Sequence, residues 1–108
     1  MEQVATLCYL GEAQEAAGET EPALESFRSC TGLADQLNFP FWQWQSLFGQ
    51  ARCLHQLGKT KDAIHKLSLA GTIILKLRKE FESEKQAANF VNETQVVFDR
   101  LTEWSESN

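Results

Sequence analysis

Between Leu47 and Ala70 the chain reads as an apolar run at helical spacing, a glycine, a threonine and a second apolar run. That is the pattern of two helices folded back on each other. The first run begins at Pro40 and carries Phe41, Trp42, Trp44, Leu47, Phe48, Ala51, Leu54 and Leu57. Its apolar arc is wider than one helix seam needs, so this helix is expected at the centre of the molecule, contacted from more than one side. Gly58 stops it, because glycine enters the left-handed conformation without a Cβ penalty. Thr60 and Asp62 then open a helix whose Ala63, Leu67, Ala70, Ile74, Leu77 and Phe81 alternate in steps of four and three. Leu69, Ile73 and Leu75 add apolar surface beyond that stripe.

The same pattern occurs upstream. An offset of 40 takes Gly18 to Gly58, Thr20 to Thr60, Ala23 to Ala63, Phe27 to Leu67 and Cys30 to Ala70. Coincidences on both sides of one turn make the chain a tandem repeat of a two-helix unit. In the first copy Val4, Leu7, Leu10, Gly11, Gln14 and Ala17 are expected on one helical face. Gly18 stops that helix, Thr20 is expected to cap the next, and Pro22 is tolerated in a first turn whose amides have no intrahelical partner. Asn38, able to take a left-handed turn, ends the second helix, and Pro40 is suited to open the third. Ser83 with Gln86 has the spacing of a capping box and places the start of a fifth helix near Glu84. That helix buries Phe90, Thr94, Val97, Phe98, Leu101 and Trp104 and ends in a polar tail, Ser105 to Asn108, expected to fray. The expected domain is therefore one unit of 108 residues, with hairpins over about 3–38 and 40–82 and a capping helix over about 84–104.

Composition narrows the partners. With 43% hydrophobic and 23% charged residues the chain is globular. A formal charge of −5 without a basic stripe argues against nucleic acid and against an anionic membrane. No apolar run reaches the roughly 18 residues of a membrane span, and no signal-peptide pattern opens the chain. Three cysteines, an odd number, fit a reducing compartment, so a cytoplasmic location is expected.

Candidate chemistry is sparse. Cys53 and His55 point about 200° apart on a helix, which is poor geometry for a shared metal. Cys8, Cys30 and Cys53 have no base or helix N-terminus identifiable beside them. The glycines are isolated, so no phosphate loop is present. No catalytic residue, metal ligand or cofactor is expected. The aromatic cluster Phe39, Phe41, Trp42, Trp44 and Phe48 exceeds what one neighbour can bury, leaving Trp42 or Phe41 open to an interface.

Around both turns the chain resembles the tetratricopeptide repeat (TPR). Leu10-Gly11, Gly18, Ala23, Phe27 and Cys30 carry the likeness in the first unit, and Ala51, Gly58, Ala63, Leu67 and Ala70 in the second. Gln50 stands where the family has leucine, and Asp35 where it has a proline. A period of 40 against the usual 34 is similar to the long-helix variety found in bacterial signalling ATPases and their regulators. A HEAT-type repeat is the alternative on period alone. The resemblance implies an all-α, right-handed helical-repeat solenoid whose first helices line a concave, partner-binding surface. Carried onto this sequence, that surface holds Cys8, Glu12 and Glu15 on the first helix. The third contributes Gln45, Phe48, Arg52, His55 and Gln56, and the fifth Asn92 and Gln95; Trp42 joins them as an interface aromatic. The carboxylate clamp of chaperone-binding members is not expected, because Cys8, Glu12, Gly49 and Asn89 occupy four of its five places and only Lys85 fits. Glu12 and Glu15 beside Arg52 and His55 read equally as a solvated polar face or as ligand contacts.

Two functions remain open: a non-enzymatic module binding a peptide or protein, or a self-assembly element or piece of a longer solenoid. The second would form a homo-oligomer through the uncovered face of the first hairpin.

Overall fold

The computed structural model describes residues 2–107, and of Ser107 only the backbone. It contains five α-helices, α1 (Glu2–Ala16), α2 (Thr20–Leu37), α3 (Pro40–Gln56), α4 (Thr60–Arg78) and α5 (Glu84–Ser107), and no strand among the described residues. Consecutive helices pack as neighbours, and α1 packs on α3. The molecule measures 39 × 37 × 22 Å. Its short dimension is about two helix diameters, so the helices form two layers: α1, α3 and α5 in one, α2 and α4 in the other.

One turn chemistry makes three corners. Gly18 (φ 82°), Asn38 (φ 55°) and Gly58 (φ 80°) are left-handed. In each, the left-handed amide donates three residues back and the next amide five residues back: Gly18 to Glu15 and Glu19 to Gln14, Asn38 to Asp35 and Phe39 to Ala34, Gly58 to His55 and Lys59 to Leu54. This pairing satisfies carbonyls that a helix end leaves open. Thr20 does not cap α2 as expected but is its first residue, as Thr60 is the first residue of α4. The cap positions are Glu19 and Lys59, with no side-chain cap bond. These two residues are already bound into the preceding turn, which leaves no free residue between the helices, so each threonine moves into the first helical turn. Pro40 opens α3, and Ser83 Oγ accepts the Gln86 amide at 3.5 Å at the start of α5.

Phe27 locks the first unit. Its ring is fully buried, and it lies against two helices at their glycines. A Cβ added at Gly11 of α1 would come within 2.9 Å of the ring, and one at Gly49 of α3 within 2.5 Å. Both glycines are therefore required by close approach. The second unit reverses the arrangement: α5 supplies the ring, Phe98, and α4 the glycine, Gly71, whose added Cβ would stand 3.1 Å away. Gln50, the polar replacement for a leucine, is 3% exposed yet satisfied. Its Nε2 donates to Thr31 Oγ1 at 2.7 Å, the Thr31 hydroxyl to Ser46 Oγ at 2.7 Å, and the Ser46 hydroxyl to the Trp42 carbonyl at 2.8 Å.

Several expected burials shift. On α1 the buried residues are Val4, Cys8 and Gly11, while Leu10 and Ala17 are exposed. The inward stripe is rotated because Gly11, not Leu10, must meet Phe27. Leu37 is exposed at the end of α2. Phe81 lies beyond the end of α4, which stops at Arg78, and packs on Phe90 instead. The acids from Glu80 onward are unfavourable at the negative end of a helix. The terminal tail does not fray at Ser105: α5 runs through Ser107, and Asn108 lies outside the described residues.

Candidate functional site

The widest arc of α3 behaves as expected, packing on α1, α2 and α4 and meeting α5 through the Trp44–Phe90 and His55–Trp104 ring pairs. Besides His55, what it leaves uncovered is one stripe, Phe41, Gln45, Phe48, Arg52 and Gln56, in steps of four, three, four and four. Phe41 and Gln56 are exposed and the other three half-buried. The α1 residues beside it are Tyr9, Glu12 and Glu15.

Arg52 is the centre of this face and is fully engaged. Its Nε donates to Glu15 Oε2 at 2.9 Å and its Nη2 to Glu15 Oε1 at 2.9 Å. The guanidinium also lies over the Phe48 ring, 4.6 Å from the centroid. Such a two-pronged pair fixes orientation as well as charge. It joins α1 to α3 and leaves Glu15 and Arg52 neutral as a pair. His55 is exposed but lies flat on Trp104, with centroids 4.1 Å apart and planes at 6°. Trp104 itself is 6% exposed.

Above the ion pair runs a row of rings that crosses three helices. Tyr9 meets Trp42 at 5.8 Å, Trp42 meets Phe41 at 4.9 Å, Phe41 meets Trp44 at 6.1 Å, Trp44 meets Phe90 at 6.3 Å, and Phe90 meets Phe81 at 5.0 Å. Trp44 and Phe90 within the row are buried, while its two ends and Phe41 are open: Tyr9 is 60% exposed, Phe81 37% and Phe41 46%. The Trp44 indole N–H has no acceptor among the described residues.

The structure thus brings Glu12, Glu15, Trp42, Gln45, Phe48, Arg52, His55 and Gln56 onto adjoining parts of α1 and α3. Cys8 is not on the surface: it is 1% exposed, packed toward α2, because the stripe of α1 is rotated. With Cys8 and Gly49 both buried, two of the carboxylate-clamp places are inside the core. On α5, Gln95 is nine residues from Trp104, so it points about 180° away from the His55 stack. Its Nε2 donates to Asp99 Oδ1 at 3.3 Å. Asn92 is exposed, with no hydrogen bond to α1 or α3 among the described residues. Sequence reasoning missed Tyr9, Phe81 and the Trp104 stack. Tyr9 could have been found as a lone aromatic outside the Val4–Cys8–Gly11 stripe, whereas the stack depends on how α5 closes on α3.

All three cysteines are buried. The Cys8 thiol is driven well above its ordinary value by its hydrogen bond to Cys30 and by burial, and the same bond lowers Cys30. Burial, with the Glu15 charge adding to it, pushes Cys53 up from 9.0 to about 11. A raised thiol pKa means that the folded state keeps a proton the unfolded chain releases. The associated stability is full below pH 9.0 and is lost as pH rises toward about 11. The melting temperature is expected to fall across that window, and to fall less steeply in Cys53→Ala; equal slopes would remove Cys53 as a contributor. Among the described residues no group of three or more His, Cys, Asp or Glu side chains is placed to hold a metal, and no helix is long and apolar enough to cross a membrane.

No protein-family model matches the chain, and no curated protein matches it significantly. Among solved structures it is similar to the TPR domain of Arabidopsis FLU, with a TM-score of 0.70 and 20% identity over 97% of this chain and 87% of that one. At that identity the likeness establishes the fold: a TPR-like helical repeat.

Proposed function

We propose that this chain is a non-enzymatic protein-interaction module that holds a peptide or protein partner on the α1–α3 face, with Trp42, Gln45, Phe48 and Gln56 among the contacts. The observation that carries the proposal is the open aromatic row above a self-neutralised Arg52–Glu15 pair. Open rings are favoured interface anchors, and a TPR-like fold is a scaffold for protein partners. In this reading Glu15, Arg52 and His55 position the face by tying α3 to α1 and α5, while Glu12 is free to meet the partner. Asn92 and Gln95 contribute only if the partner wraps past α5. The spacing of 40 between the two turn glycines favours the long-helix variety of the repeat, and three unpaired thiols favour a cytoplasmic adaptor.

A steric test avoids the structural side chains. The native cysteines are buried, so Gln45→Cys and Gln56→Cys can be capped selectively with a bulky maleimide. In a crosslinking pull-down from the native cell, the capped variants are expected to lose partner capture severalfold at unchanged melting temperature. Ser68→Cys, capped on the exposed side of α4, retains it. Capture that survives capping at both glutamines removes this face from the site. An Arg52→Ala/His55→Ala variant is less diagnostic, since both side chains brace helices and their loss lowers stability as well.

One observation favours a second reading, self-assembly. The outer side of the first hairpin exposes Leu10 and Leu37, each 46%, and carries a cavity of about 440 Å³ lined by Glu2, Gln3, Thr6, Leu7 and Leu33. Light scattering across a concentration range separates the two, a constant monomer mass excluding the assembly.

A further inference from the structure

The charges of this chain are segregated by hairpin. Up to Phe39 it has seven acidic residues against one basic, Arg28, whereas Lys59, Lys61, Lys66, Lys76, Arg78 and Lys79 gather on α4 and its flanks. On the ring-bearing face Arg52 is already spent, paired with Glu15. The carboxylates beside the rings are not spent. Glu12 stands one turn from Tyr9 on α1, on the same flank of the helix. At the far end Glu93 joins Phe81, Asn89 and Phe90 around a cavity of about 300 Å³. Neither of these two acids forms an ion pair among the described residues. The row therefore presents open aromatic rings with an unneutralised carboxylate at either end.

Rings and carboxylates in this arrangement select for cations. A guanidinium or ammonium group lying on an aromatic face is attracted by its quadrupole, arginine more often than lysine. An acidic segment would instead leave Glu12 and Glu93 facing like charge. We infer that the segment taken by this face is cationic: an extended stretch of a partner protein whose arginine or lysine side chains lie on Tyr9, Trp42 and Phe41, with Glu12 balancing their charge. The inference rests on the partner-binding face proposed above and adds the chemistry of the occupant.

The test uses two fluorescein-labelled nine-residue peptides, one alternating arginine with glycine and one alternating glutamate with glycine, titrated with the whole chain by fluorescence anisotropy. The arginine peptide binds and the glutamate peptide does not, and binding weakens as salt shortens the reach of the charges. Tyr9→Ala and Glu12→Gln each weaken it about two- to fivefold, the range of an exposed cation–ring contact. Glu25→Gln, which removes a charge from the exposed side of α2, leaves it unchanged. Tyr9, Glu12 and Glu25 are all exposed, so circular dichroism and melting are expected to match the parent. The inference is overturned if the glutamate peptide binds as well, if the arginine peptide fails to bind, or if Glu25→Gln weakens binding as much as Glu12→Gln. Failure here alongside loss of native capture in the capped Gln45→Cys and Gln56→Cys variants leaves the face standing and rejects only its cationic occupant. Retained capture in those variants rejects the face itself.

Discussion

Replacing Phe27 with alanine is expected to lower the unfolding free energy by about 3–5 kcal/mol, the range for truncating a buried aromatic. The upper part of that range is favoured by what surrounds the ring. Phe27 is fully buried and lies against Gly11 and Gly49, neither of which has a side chain to move into the hole, so α1, α2 and α3 are left around a void they cannot fill. The reciprocal change makes the argument sharper. Gly49→Ala gains about 1 kcal/mol of helix propensity, but its methyl would stand 2.5 Å from the ring, and overpacking of that kind costs about 1–3 kcal/mol. Gly49→Ala alone is therefore expected to destabilise. In the Phe27→Ala background the clash is gone and the same methyl occupies vacated space, so the substitution is expected to stabilise. Urea titration of the four proteins in this cycle measures the sign change directly. An identical effect of Gly49→Ala in both backgrounds would mean that the ring does not sit between the two helices.

Much of this arrangement was legible in the sequence because it is local. Gly18, Asn38 and Gly58 announce left-handed corners through their own backbone freedom, and Pro40 its helix start through its fixed φ. The four-three stripes on α2 and α4 place Phe27, Cys30, Leu67 and Ala70 in the core, where they are fully buried. Reading failed where a neighbour decides. Nothing within α1 says that Gly11 rather than Leu10 turns inward, since the choice is made by a ring on α2. Thr20 looks like a cap until the turn before it is seen to use Glu19 for both helices at once.

The site divides along the same line. Arg52, Glu15, Phe48 and Gln56 follow from helical spacing once the repeat is recognised, and the structure groups them. Their condition does not follow: that Arg52 is consumed by Glu15, and His55 by Trp104, depends on the distance between helices 37 and 49 residues apart in the chain. Tyr9 escaped notice because a single ring on a helix of mixed character has no periodic signature. Its role becomes visible only with Trp42 at 5.8 Å. The charges were legible but not weighed, since a net −5 conceals an acidic first hairpin and a basic α4 that chain order already separates.

Leu67 holds in α4 the position that Phe27 holds in α2, forty residues on, and Leu67→Ala tests whether the two units stand or fall together. The side chain is fully buried, so its truncation is expected to cost about 2–5 kcal/mol; a loss under about 1 kcal/mol would contradict that burial. The way in which the stability is lost is as informative as its size. In a helical repeat each unit is held chiefly by its neighbour, and here α3 packs against both α2 and α4. Damage to the second unit therefore withdraws support from the first through the shared helix. The variant is expected to unfold in one transition with a lower midpoint and an unchanged slope, because the surface exposed is the same. A split transition, with the α4–α5 half melting before the first hairpin, would show that α3 belongs energetically to one unit only. The α1–α3 face would then retain its rings and its ion pair while α5 came away, and the partner would be held by the first three helices alone.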